Sequence, residues 1–269
     1  MTLTPRLVDI GLNLAHDSFD SDREHVIATA RAAGVEHMVI TGSTLESTES
    51  AIELVQSDPG TFRCTAGVHP HHAADLRTED LPRLRKLLAA PEVGAAGECG
   101  LDYFRNFSSH EDQERAFRRQ LELAVECGKP VFLHQRDAHD AFVAILGDYL
   151  PRLAGGVAHC FTGDERELRD YLDRGLSIGI TGWICDERRG QHLRELVRVI
   201  PLDRLMAETD APYLLPRDLT PKPSHRRNEP KYLPHVVKTI AACRGEPYAT
   251  VAAATTRNAL EFFGFASDQ

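Results

Sequence analysis

Short, almost wholly apolar runs alternate along this chain with longer stretches in which apolar residues return every three or four positions. The short runs read as strands buried on both faces, as in a parallel sheet. They are Arg6 to Gly11 (continuing through Asn13), Glu36 to Thr41, Phe62 to Val68 and Val93 to Asp102. Four more follow: Pro130 to His134, Gly155 to His159, Leu176 to Thr181 and Leu205 to Asp210. The longer stretches predict helices. The first opens on Ser21-Asp22-Arg23-Glu24, read as a capping box, places Val26, Ile27, Ala30 and Ala33 on one face, and stops at Gly34. Others run from about Leu45 to Gln56 and from Leu81 to Leu88. A second capping box at Ser108 to Glu111 starts a helix that ends at Gly128, and the next runs from about Ala138 to Tyr149. A cap at Thr162 to Glu165 leads to Gly175, and a helix lies near Gly190 to Val199. A Pro-rich loop to Pro234 precedes two closing helices, about His235 to Cys243 and Tyr248 to Phe263.

Eight strands alternating with helices, at roughly thirty residues per unit, predict an α/β fold, a (β/α)8 TIM barrel in one domain over 1–269. The rival is a doubly wound open sheet. No G-x-G-x-x-G follows the first strand, and polar strand ends recur along the whole chain instead of gathering at one switch point.

Composition narrows the function classes. A net charge of −9 over 269 residues argues against the large basic face of a stoichiometric DNA binder, but leaves room for an enzyme that grips a few phosphates locally. The amino terminus shows no signal-peptide pattern, and no apolar run is long enough to span a membrane. The six cysteines are scattered with no C-x-x-C pair, which favours reduced thiols. The expectation is a cytoplasmic protein with no membrane partner and no obligate protein partner.

In a barrel every strand delivers its carboxyl end to one rim, where active sites lie. The residues delivered there are Asp9, with Asn13 just beyond, His69, Glu98, His134, His159 and Asp210. Gly97 and Gly100 flank Glu98, so backbone or ligand can approach closely. A single His or Asp at a strand end more often caps or hydrogen-bonds than ligates. Glu98, His134, His159 and Asp210 come from four different strands, however, and are the candidate ligands of one divalent cation. Imidazole with carboxylate suits Zn2+, Mn2+ or Fe, and carboxylates alone suit Mg2+. An open coordination position would lower the pKa of a water there. Asp210, beside Glu208 and Thr209, is the candidate to take that water's proton, which makes Asp210 and Glu98 the candidate catalytic pair.

Five blocks, Gly67-Val68-His69-Pro70, Gly97-Glu98-Cys99-Gly100-Leu101-Asp102, Leu133-His134-Gln135-Arg136-Asp137-Ala138, His159-Cys160-Phe161-Thr162-Gly163 and Glu208-Thr209-Asp210-Ala211-Pro212-Tyr213, together resemble the signature of the TatD-type metal-dependent deoxyribonucleases. These belong to the amidohydrolase-like TIM barrels. The resemblance runs from Val8 to at least Asn258. It is closest to the TatD proper subgroup, through Asp9 to Leu14, Gly179 to Gly190, Pro216 to Ser224 and Arg226 to Pro230. It implies a divalent cation, usually Mg2+, bound through Glu98, His134 and His159 with Asp210 catalytic or ligating. It also implies 3'-to-5' exonuclease action on single-stranded DNA and RNA, with a role in DNA repair or nucleic-acid degradation. Most of the wider family carries Asp-x-His-x-His on the first strand. Here those His positions are Gly11 and Asn13, as in the TatD subgroup, so one firmly held ion is expected, with preference shifted toward Mg2+ or Mn2+ over Zn2+.

The loops after the last two strands are the expected phosphate site of this fold. The first carries Trp183, Asp186, Glu187, Arg188 and Arg189. From Arg217 to Lys231 the second has five Lys or Arg against Asp218 and Glu229. Trp183 could stack on a base, as could Tyr103, Phe104 or Phe161. Arg188 and Arg189 also read as a solvated helix start, and Arg226 and Arg227 as partners of Glu229. Arg136, two residues past His134, is better placed for phosphate, and His69 could contact phosphate or orient a ligand. His71 and His72 are expected at the surface. Two rivals remain: another small ester, amide or phosphoester hydrolase on the same scaffold, and a non-catalytic partner protein.

Overall fold

A computed structural model describes residues 6–265. Eight strands hydrogen-bond in chain order, each parallel to the next: β1 (Leu7–Leu12), β2 (Val35–Ile40), β3 (Phe62–Ala66), β4 (Val93–Asp102), β5 (Val131–Arg136), β6 (Gly156–Ala158), β7 (Ser177–Ile180) and β8 (Leu205–Ala207). The segment after β8 returns to β1. Asp210 N donates to Gly11 O at 2.8 Å, Asn13 N to Ala211 O at 2.7 Å, and Leu12 bridges Ala211 in parallel. Strand order without a reversal, closed in this way, is the (β/α)8 barrel and not the doubly wound sheet.

The helices are α1 (Arg23–Ala32), α2 (Leu45–Ser57), α3 (Leu81–Leu88), α4 (His110–Cys127), α5 (His139–Gly147), α6 (Glu165–Asp173), α7 (Gln191–Leu196), α8 (Leu233–Arg244) and α9 (Tyr248–Phe263). Val8, Ile10, Val39, Ala95, Phe132, Val157 and Met206, drawn from six strands, form one apolar cluster closed by Ala259 and Phe263 of α9. That cluster is the barrel interior, and α9 plugs one end of it. A larger cluster packs the outer strand faces against the helices.

The expected caps shift. α1 begins after Asp22, which makes no capping bond; Arg227 takes both Asp22 oxygens, at 2.8 and 2.6 Å. The distant guanidinium outbids the local backbone because a bidentate charged pair is stronger than a single cap bond. For α4 the cap is Ser109, accepting from Asp112 N, and for α6 it is Asp164 in a box with Glu167. Several strands also end earlier than periodicity suggests, whereas β4 ends at Asp102 as expected and β5 runs on to Arg136. His69, His159 and Asp210 lie beyond their strands, where the chain turns over the barrel mouth.

Candidate active site

β4 delivers Glu98 by giving up side chains beside it. A Cβ on Gly97 would sit 2.2 Å from the Phe132 carbonyl oxygen, and one on Gly100 1.8 Å from that of His134. Both glycines have positive φ, +141° and +145°. Only glycine allows β4 to lie backbone against backbone on β5 in that conformation. The β4–β5 register also slips between Ala96 and Cys99, the kind of bulge that re-aims a side chain.

One oxygen of Glu98 then meets three imidazoles. Oε1 is 2.7 Å from His159 Nε2, 2.9 Å from His134 Nδ1 and 3.2 Å from His69 Nε2. His159 Nδ1 is 3.3 Å from Glu208 Oε2, while Glu208 Oε1 accepts from Cys160 N at 2.5 Å. Glu208 is fully buried. A Cβ on Gly11 would meet its Oε2 at 2.4 Å and one on Gly179 its Oε1 at 2.6 Å, so two glycines leave the room it fills. Asp102, at the end of β4, accepts from His71 Nε2 at 2.7 Å and from the backbone N–H groups of Phe104 and Arg105. His134 Nε2 is buried without a hydrogen-bond partner, 3.6 Å from Asp102 Oδ2.

Charge follows this geometry. Burial alone would raise the Glu98 carboxyl, but His69, His159 and the bonds from His134 outweigh it and hold Glu98 well below the usual carboxylate range. Burial disfavours the His159 cation, yet Glu98 and Glu208 lift it well above its ordinary value. His69 is lowered to about 4 by burial, with Glu98 opposing. Asp210 is pushed up to about 8, first by burial and then, against His159, by Glu98 and Glu208. Four carboxyl groups (Glu98, Asp102, Glu208 and Asp210) therefore crowd the barrel mouth.

A divalent cation fits these residues. One donor atom each from His69, Glu98 and His134 lies within 4.8 Å of the others, His159 reaches the same Glu98 oxygen, and His134 Nε2 is an orphaned buried nitrogen. Of the expected ligands, His134 and His159 meet Glu98 directly, Asp210 is joined to it only through charge, and His69 is drawn into the cluster instead of standing apart at the phosphate.

Other expectations are corrected. Asp9 does not point into the mouth. It is fully buried and accepts from Thr209 N at 2.9 Å and Thr209 Oγ1 at 2.5 Å, tying β1 to the segment after β8. His71 is half-buried and is the partner of Asp102, while His72 is exposed as expected. Tyr103 stacks on His110 at 3.5 Å and bonds Glu114, and Phe161 is buried, so neither is free for a base; Phe104 is half-exposed. Sequence reasoning missed Glu208 as a partner of His159, and Asp102. The signals were Gly11 and Gly179 beside a strand-end acid, and an acid closing the longest strand.

A cavity of about 440 Å3 opens on this cluster, lined among others by Phe104, His134, Arg136, His159, Trp183 and Arg189. The Arg136 guanidinium lies 4.0 Å from the Phe104 ring centroid and that of Arg189 5.9 Å from the Trp183 ring. Trp183 and Arg189 also line an adjoining cavity that reaches Arg217. Arg217 in turn lines a third, of about 460 Å3, with Lys222, His225 and Arg226. The loop cations divide by partner. Arg227 binds Asp22 and Glu229, and Lys231 binds Glu229 at 2.6 Å. Arg188 and Arg217 approach Asp186 only at 3.8 and 3.7 Å. Lys222 and Arg226 have no carboxylate partner among the described residues. Arg226 thus does not reach the cluster itself, and of the expected pair only Arg227 meets Glu229.

Comparison with known proteins places this chain among relatives. A family model described as TatD related DNase matches residues 8–264. The chain is 54% identical over 260 residues to a protein of Pantoea vagans named "3'-5' ssDNA/RNA exonuclease TatD", covering 97% of this chain and 100% of that one. A protein of the same name from Cronobacter sakazakii is 54% identical, over 96% of this chain and 97% of its own. Among solved structures, a hydrolase TatD family protein from Entamoeba histolytica superposes with a TM-score of 0.89 at 26% identity, covering 98% of this chain and 100% of that one.

Proposed function

The chain belongs to the TatD related DNase family, and on that premise we propose that it is a cytoplasmic 3'-5' exonuclease of single-stranded DNA and RNA that works with Mg2+. It is a hydrolase of phosphodiester bonds. The observation that carries the reading is the convergence of His69, His134 and His159 on one oxygen of Glu98 at the open end of the barrel. The six unpaired cysteines support a reducing, cytoplasmic setting. A role in DNA repair or nucleic-acid degradation follows from the activity.

Glu98, His134 and His159 would hold the cation, with His69 and Asp210 beside them; Mn2+ and Zn2+ also suit this nitrogen-rich set. Such a cation would polarise the scissile phosphate and lower the pKa of a water. Asp210, pushed up to about 8 by burial and its acidic neighbours, holds a proton near neutral pH until a cation beside it favours the carboxylate, and in that form it is the candidate to take the water's proton. Arg136, braced over Phe104, is positioned to fork onto phosphate oxygens at the strand terminus. Trp183 and Phe104 offer faces for the terminal bases. Arg226, with Arg188 beside Asp186, would take phosphates further along the strand. A compact, locally positive pocket suits an acidic protein that handles one strand end better than one that grips a long duplex.

The test is digestion of 5'-labelled single strands with Mg2+, Mn2+ or Zn2+. The expected result is a ladder shortening from the 3' end, blocked by a 3' cap, with Glu98→Gln slower by more than about 100-fold. No shortening with any of the three ions, or shortening from the 5' end, overturns the proposal.

A further inference from the structure

We infer that Cys185, Asp218 and His235 form a second metal site, separate from the Glu98 cluster, which takes one Zn2+-like cation and clamps the basic loop onto α8. Cys185 ends the 3-10 turn Gly182–Cys185 that also carries Trp183. Asp218 lies in the loop between β8 and α8, and His235 in the first turn of α8. One ligand atom from each, a sulfur, a carboxylate oxygen and an imidazole nitrogen, lies within 4.8 Å of the other two.

The surroundings of the thiol are unusual. Cys185 is fully buried, and a buried cysteine ordinarily packs as a small hydrophobe. Here Sγ lies 3.4 Å from Thr239 Oγ1, one helical turn past His235, with the carboxylate and imidazole close by. Asp218 Oδ1 already faces His235 Nε2 at 2.7 Å. Among the described residues no guanidinium pairs with that carboxylate. Arg217, its chain neighbour, turns to Asp186, and Arg194 donates to the Ile184 carbonyl. Both Asp218 and His235 are partly exposed, at 27% and 30% of their side chains, which gives an ion a way in.

The donor set selects the ion. Thiolate, imidazole and carboxylate together suit Zn2+ or Co2+, whereas Mg2+ and Ca2+ take oxygen ligands. Thiolate and carboxylate neutralise a dication while the imidazole stays neutral. As the sulfur–metal bond forms, the Sγ–H proton leaves to solvent. The Asp218–His235 hydrogen bond is replaced by one metal–oxygen and one metal–nitrogen bond, and the fourth tetrahedral position is left to water. The loop so pinned carries Arg217, Lys222 and Arg226, the cations that line the outer cavity.

The experiment is Co2+ titration of the full chain, followed by its absorption spectrum. A thiolate ligand gives a sulfur-to-cobalt charge-transfer band in the near ultraviolet, which carboxylate and imidazole ligands do not. The band is expected to saturate by two equivalents in the parent chain, where the Glu98 cluster also takes Co2+, to persist in Glu98→Gln, and to vanish in Cys185→Ser and in His235→Ala. Asp218→Asn, which keeps the shape of the loop, should weaken Co2+ binding about tenfold or more. No band at saturating Co2+, or a band that survives Cys185→Ser, overturns the site. In Glu98→Gln, Zn2+ should slow tryptic cleavage after Arg217 and Arg226 several-fold, and unchanged cleavage overturns the clamp.

Discussion

Glu208 is fully buried, and its two oxygens fix the direction of His159: one takes Nδ1, the other the Cys160 N–H. A carboxylate behind a ligating imidazole sets its tautomer and raises its basicity. Glu208→Gln keeps the shape and removes the charge. Its kcat/KM should fall about 10- to 100-fold with the fold retained, measured by oligonucleotide digestion beside thermal unfolding. Asp9 titrates differently. Burial raises it to about 7, against the bonds from Thr209. The folded state therefore holds a proton that the unfolded chain releases near 3.8, so this contribution to stability is full below the unfolded value and is lost as pH rises through about 7. Glu98, held low, has the opposite sign: its contribution is lost on acidification. Urea unfolding at about pH 5 and about pH 8 should show a shallower decline in Asp9→Asn than in the parent chain.

Among the elements, β4 carries the heaviest constraint. Gly100 has positive φ, and any Cβ there collides with the His134 carbonyl of β5. Gly128, past the end of α4, also has positive φ (+64°), but nothing lies within 4 Å of the Cβ it would bear. Gly128→Ala should therefore cost about 1 kcal/mol, the conformational penalty alone. Gly100→Ala should cost about 3 kcal/mol or more, because the two strands must part. Chemical denaturation of the two variants separates the effects, and equal losses would show that β4 is not pressed against β5 as described. The same scale shows why some helix starts were misplaced. Ser21 to Glu24 has the spacing of a capping box, but Asp22 is committed to Arg227 of a loop far along the chain. Local spacing cannot register such a competitor.

Over the whole molecule, a net charge of −9 coexists with a run of three cavities leading from the Glu98 cluster past Trp183 to Arg217, Lys222 and Arg226. The carboxylates of Asp22 and Glu229 hold Arg227 and Lys231, and so tie the loop down. Lys222 and Arg226 keep their charge for a ligand. Each phosphate contact on a single strand adds about 0.7 to the slope of log affinity against log salt. The double variant Lys222→Ala with Arg226→Ala should therefore lower that slope by about 1.4 and weaken oligonucleotide binding most at low salt. Fluorescence anisotropy over a salt series reads this directly. An unchanged slope would remove both residues from the strand's path.

The primary structure by itself settled the alternation of buried strands and amphipathic helices, and so the barrel, because the apolar runs are too short for helices, are bounded by turn residues and alternate with longer stretches of helical period. It also marked Glu98, His134 and His159, since a charge that closes such a run stands out from its neighbours. Only the tertiary structure decided that His69 joins Glu98, that Glu208 stands behind His159 in space left by Gly11 and Gly179, and that Asp9 turns inward to Thr209. It also decided which loop cations are paired. Those outcomes depend on distances between residues remote in sequence, and the side-chain period along one strand carries no information about what the opposite wall of the barrel presents.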